Sequence, residues 1–91
     1  MNYRVVWRKR VSERLSVSQF LARERGRDPH ALPRAIEEID LKLSDDPRDW
    51  ASRAGEERVL VVFPLSVFYE VFEGAQVVMI YAAVHYPQMR A

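Results

Sequence analysis

Ninety-one residues with 48% hydrophobic content suffice for one core that buries roughly 60 to 65% of the surface of the unfolded chain, and leave no room for a second domain. The absence of cysteine excludes disulfide stapling, thiol catalysis and cysteine-based zinc sites together. The formal charge of +1 conceals an asymmetry: residues 1–27 hold eight Lys/Arg against two Asp/Glu (net +6), residues 28–57 four against nine (net −5), and residues 58–91 two against two.

Tyr3 to Trp7 reads as a first strand, with Val5 and Trp7 on one side and Arg4 and Val6 on the other. From about Arg8 to Arg25, Val11, Leu15, Phe20 and Leu21, joined by Val17 or Ala22, recur at near-helical spacing, and Gly26 stands where a helix ends in a left-handed cap. A second helix carries the stripe Leu32, Ile36, Ile39, Leu43. Its regular part is expected to begin near Pro33, because a proline deeper inside would remove a backbone donor. Asp45-Asp46-Pro47 ends it. The residues between Pro47 and Arg58 read as a long connection, with Trp50 as an anchor to the core and Arg53 as its second notable member.

Two runs rich in β-branched and aromatic residues follow, Arg58 to Phe63 and Ser66 to Phe72, parted by Pro64-Leu65; after Glu73-Gly74-Ala75 comes a third, Gln76 to Val84, which closes on His85-Tyr86-Pro87. Three successive strands with tight breaks predict an antiparallel meander, in which Val67, Tyr69 and Val71 share a face and Leu60, Val62, Ile36, Ile39 and Leu15 are core. The order strand, helix, helix, strand, strand, strand is that of an α+β domain over residues 1–91, a helical hairpin covering one face of a sheet. The longest apolar run, within Val77 to Val84, falls well short of the roughly 18 residues of a membrane span and alternates like a strand. The opening residues put their charges after the apolar ones, the reverse of a signal peptide. A cytoplasmic, membrane-free protein is expected.

Few chemistries are available. There is no glycine-rich phosphate loop, no His-x-x-x-His pair and no Gly-x-Ser-x-Gly elbow. His30 and His85, the two histidines, sit on different elements, and Asp45, Asp46 and Asp49 are explained by a helix end followed by proline. No metal and no cofactor are expected. The remaining chemistry is metal-free cleavage of RNA by its own 2′-hydroxyl, which needs a base, cations on the phosphate and an acid for the leaving oxygen. His85, with Tyr86 beside it, supplies side chains of the right type. The cationic start, including Arg8, Lys9 and Arg10, reads either as a phosphate-binding face or as the solvated side of a helix paired with the acidic helix next to it. His85-Tyr86 reads equally as a strand end with an aromatic lid on the core.

Arg58 at a strand opening, Pro64-Leu65-Ser66-Val67-Phe68-Tyr69-Glu70-Val71 in the middle strand, Glu73-Gly74 in the turn and Ala82-Ala83-Val84-His85-Tyr86 at the end together resemble the RelE/ParE superfamily of bacterial toxins. The terminal His85-Tyr86 is similar to the ending of the YoeB-type branch. The resemblance implies a toxin neutralised by a cognate antitoxin, with ribosome-dependent mRNA cleavage as activity, or DNA gyrase as target of a ParE-like member that binds without cutting; a degenerate module that only pairs with another chain is the third alternative. It implies catalytic roles for His85, Tyr86 and Arg58, and nucleic-acid contacts from Arg53, Arg8, Lys9, Arg10 and Arg90. Ser66 departs from the pattern: ribonuclease members carry a phosphate-holding arginine there. The tail offers only Arg90 where many relatives are rich in Arg and Lys.

Overall fold

The chain forms β1 (Arg4–Trp7), α1 (Lys9–Glu24), α2 (Ala31–Asp45), β2 (Ser52–Ala54), β3 (Glu57–Val62), β4 (Leu65–Phe72) and β5 (Val77–His85). These elements come from a computed structural model that describes residues 2–26, 28, 30–45, 47, 52–54 and 57–86, with the side chains of 52–54 and 57 outside that description. Trp50, Arg90, Asp46 and Asp49 lie outside the described residues.

One five-stranded sheet, ordered β1-β5-β4-β3-β2, holds the domain together. β2 to β5 pair antiparallel in sequence, and β1 pairs parallel with β5, Arg4 opposite Val77 through Trp7 opposite Ile80. A parallel pair needs a long crossover. The two helices begin that crossover and cover one face of the sheet, where Val11, Leu15, Leu32, Ile39 and Leu43 meet Leu60, Leu65, Val67, Tyr69, Val78 and Ile80.

The expected α+β order is present, with one added element. Residues 52–54, read from sequence as part of a connection, form the short edge strand β2, Ser52 opposite Val59 and Ala54 opposite Glu57. Helix α2 begins at Ala31, two residues before Pro33. Proline is tolerated there because the first-turn N–H groups have no intrahelical acceptor. Asp28 leads into that turn, accepting from the His30 N–H at 2.9 Å and pairing with Arg34 at 2.9 Å.

The stripe assigned to α1 needs correction. Val11, Leu15 and Ala22 are buried, whereas Val17, Phe20 and Leu21 are 59%, 60% and 40% exposed. Helical spacing fits both sets, and only packing against the sheet selects the first. Gly26 does take the left-handed conformation, φ +68°, behind the last turn of α1. β5 starts at Val77 rather than Gln76, because Gln76 has φ 52° and closes the turn with its N–H on the Glu73 carbonyl. That backbone is incompatible with a strand.

Two polar contacts tie the layers. The Trp7 indole Nε1 donates to Asp40 Oδ1 at 2.7 Å, linking β1 to α2, and the buried Tyr69 hydroxyl donates to the Pro47 carbonyl, fixing the chain just past α2 against β4. Between β3 and β4, Phe63 and Pro64 form a two-residue turn with a cis peptide.

Candidate functional site

The C-terminal end of β5 gathers most of the residues with usable chemistry, and a bulge decides where they point. Tyr69 pairs with Ile80 and Phe68 with Ala82, so Tyr81 is the extra residue of a β-bulge. Strict alternation from Val78 and Ile80 would put residues 82 and 84 on the helix-covered face. With the extra residue, Ala83 opposite Val67 and His85 opposite Leu65 take that face instead. His85 accordingly borders a small cavity of about 50 Å³ with Tyr86 and with Ala22, Ala31 and Leu32 of the helices. It also borders a groove of about 720 Å³ with Arg10, Arg14 and Ser18 of α1.

Tyr86 follows the strand and is held differently. Its N–H donates to the Pro64 carbonyl at 2.8 Å, and its phenol oxygen accepts from Ser66 Oγ at 3.2 Å. Ser66 is 3% exposed and shares a face with Val61 and Val84, its register partners. Since Leu65 and Val67 point at the helices, that is the other face of the sheet. The phenol of Tyr86 is thus tied to Ser66, while Tyr86 also borders the small cavity beside His85.

Arg58 is not brought to His85. It pairs with Tyr69, and His85 pairs with Leu65, so the two are about 13 Å apart along the strand direction and on strands separated by β4. Arg53 is opposite Arg58 in register, which places its backbone at the same distant end. Of the other cationic candidates, Arg8 leads into α1, with its N–H on the Ile80 carbonyl at 3.0 Å, and Lys9 is an exposed first residue of that helix. Arg10 does reach the His85 groove.

The site also includes Arg14, another basic residue of the cationic start. Its signal is its spacing: Arg10 and Arg14 lie one turn apart and therefore on one flank. Among the described residues no ion pair joins a basic residue of α1 to an acidic residue of α2. The ion pairs of Arg34 with Asp28 and Lys42 with Glu38 both lie within residues 28–45. The groove therefore carries two arginines with one acidic residue, Glu13, among its walls. A second cleft of about 630 Å³ is lined by Trp7, Leu15, Leu32 and Ile36 together with polar side chains that include Gln19, Glu37 and Asp40. No Lys, Arg or His lines it to receive a phosphate.

No protein-family model matches the chain, and no curated protein sequence matches it. Among solved structures, it is similar to a chain of the toxin-antitoxin complex RelBE2 from Mycobacterium tuberculosis, with a TM-score of 0.71 at 15% identity, over 93% of this chain and 92% of that one. The chain has a RelE-like α+β fold.

Proposed function

We propose that this chain is the toxin component of a two-protein toxin-antitoxin pair, restrained by a cognate antitoxin, and that it acts on its cytoplasmic target by binding rather than by cutting RNA. The RelE-like fold supports the first half, since a solved relative in fold is part of such a complex. The second half is carried by one observation: Ser66, at the position where the resemblance expects a phosphate-holding arginine, is buried and donates to Tyr86.

Metal-free RNA cleavage needs a base, an acid and a cation converging on one phosphate. Here the Tyr86 phenol is engaged by the buried Ser66, and Arg58 stands four register positions away from His85. Removing one donor to a developing phosphate charge typically lowers the rate by about 10² to 10³. A binding toxin needs no such convergence. DNA gyrase is then the target class that the ParE resemblance suggests.

A second reading has its own support. Arg10, Arg14 and His85 share one groove, and a histidine beside two guanidinium groups is an arrangement suited to a phosphate. On that reading the chain is a ribosome-dependent mRNA endonuclease, with His85 as acid or base, the arginine pair on the phosphate and Tyr86 against the nucleotide. Induced expression separates the three outcomes. Growth arrest relieved by the product of the adjacent reading frame supports the toxin assignment, with broken DNA or intact mRNA favouring binding and cut mRNA favouring cleavage. No growth arrest under full induction counts against both.

A further inference from the structure

Helix α1 is apolar on two sides. Val11, Leu15 and Ala22 are buried against the rest of the chain, while Val17, Phe20 and Leu21 are 59%, 60% and 40% exposed. Three large apolar side chains within little more than one turn form a patch rather than scattered exposure.

The charges around that patch are ordered. Arg10, Arg14, Val17, Leu21 and Glu24 step by four, three, four and three, which is the spacing of a seam between paired helices. The seam is cationic at its start, apolar in its middle and anionic at its end. All five residues are exposed, and no ion pair among the described residues engages Arg10, Arg14 or Glu24.

Such a seam is complementary to itself in one direction. When two copies lie antiparallel about a twofold axis, alternate seam positions face each other. Val17 then meets Leu21 of the second copy, and Arg14 meets Glu24 at both ends of the contact. Phe20, beside the seam near its centre, meets its own copy across the axis. A parallel arrangement would instead set Arg14 against Arg14 and Glu24 against Glu24, which is repulsive.

We propose that α1 is a self-association element, through which two copies of this chain pair antiparallel along the seam of Arg14, Val17, Leu21 and Glu24. A phosphate-rich surface fits the same face less well, because Glu13 and Glu24 stand exposed among its basic residues and carry the same sign of charge as phosphate. Arg10, Arg14 and Val17 also line the groove with Val84 and His85. Pairing therefore occupies Arg14 with a carboxylate and narrows access to His85. It is independent of the toxin reading, since it uses the surface of this chain alone. One pair of short helices makes a small interface, so a dissociation constant of about 10 to 100 μM is expected.

Sedimentation equilibrium of the full chain from about 5 to 500 μM reads the dimer directly. Arg14→Glu and Glu24→Arg each bring like charges together at both ends, and each should weaken dimerisation about 10-fold or more. The Arg14→Glu, Glu24→Arg double variant restores both pairs and should return to within about threefold of the parent. An equimolar mixture of the two single variants should dimerise where neither does alone. Positions 14 and 24 are about 15 Å apart along one helix, so neither recovery arises within a monomer. Val17→Asp should abolish the dimer. All these positions are exposed, so folding is expected to persist, and a melt confirms it. A parent chain that stays monomeric across the range overturns the proposal, as does a dimer indifferent to the single variants. Weakening without recovery in either the double variant or the mixture overturns the antiparallel pairing. A monomeric chain whose Val17→Asp variant loses binding to the adjacent gene product, or to vesicles containing anionic lipid, gives the face to that occupant and overturns self-association.

Discussion

The Ser66 hydroxyl donates to the Tyr86 phenol oxygen across 3.2 Å, joining β4 to the residue that follows β5. Ser66 is buried, so the bond is shielded from competing water on at least one side. Ser66→Ala and Tyr86→Phe should each lower stability by about 0.5 to 1.5 kcal/mol. Because both remove the same bond, the double variant should lose about as much as either single one. Urea midpoints for the four proteins of the cycle decide it: losses that add fully mean the two residues do not interact.

The core makes a larger demand. Ile39 is fully buried, between α2's Ala35 and Leu43, in the cluster with Leu60, Val67 and Tyr69. Ile39→Ala should cost about 2 to 5 kcal/mol, from lost burial plus the cavity left behind. Thermal or urea unfolding checks it. A variant as stable as the parent would mean that α2 does not present this face to the sheet.

Trp7 closes the far edge of the sheet onto α2. Its indole donates to the Asp40 carboxylate at 2.7 Å, a hydrogen bond with a charged acceptor. Trp7→Phe keeps most of the apolar surface and removes the donor, so a loss of about 1.5 to 3 kcal/mol is expected. Asp40→Asn keeps an acceptor and should lose less. A loss from Trp7→Phe that is just as large in an Asp40→Ala background would show that packing rather than the bond carries the effect.

Much of this fold was legible because the β-branched runs and the α2 stripe each have one compatible period. Leu32, Ile39 and Leu43 are buried as their spacing required, and Ile36 is partly buried against them. Other features depend on what a segment meets in space. Val17, Phe20 and Leu21 satisfy helical periodicity as well as Val11, Leu15 and Ala22 do, and the sheet touches only the second set. Ser52–Ala54 carries no apolar alternation and is a strand because Glu57–Val62 offers it an edge. The site depends on tertiary structure most of all. Tyr-Ala-Ala-Val-His fits an unbroken strand, and the bulge at Tyr81, which turns His85 toward the helices and Arg10, is visible only in the register of β4 with β5.

His85 and Tyr86 separate the two readings of activity in one experiment. The binding account expects the His85→Ala, Tyr86→Phe double variant, once shown to be folded and to bind the adjacent gene product, to arrest growth as the parent does. Loss of a positioned proton-transfer group would instead lower toxicity and cleavage by about 10² or more. Growth curves under matched expression give the answer.

The most direct test is to map RNA 5′ ends across the transcriptome shortly after induction, in cells carrying this chain with and without the product of the adjacent reading frame. The account predicts growth arrest that the second protein relieves, with no new internal mRNA ends in either culture. New internal ends that appear with the parent chain, vanish in His85→Ala and vanish again when the second protein is co-expressed would contradict it, and would make the groove of Arg10, Arg14 and His85 a ribonuclease site.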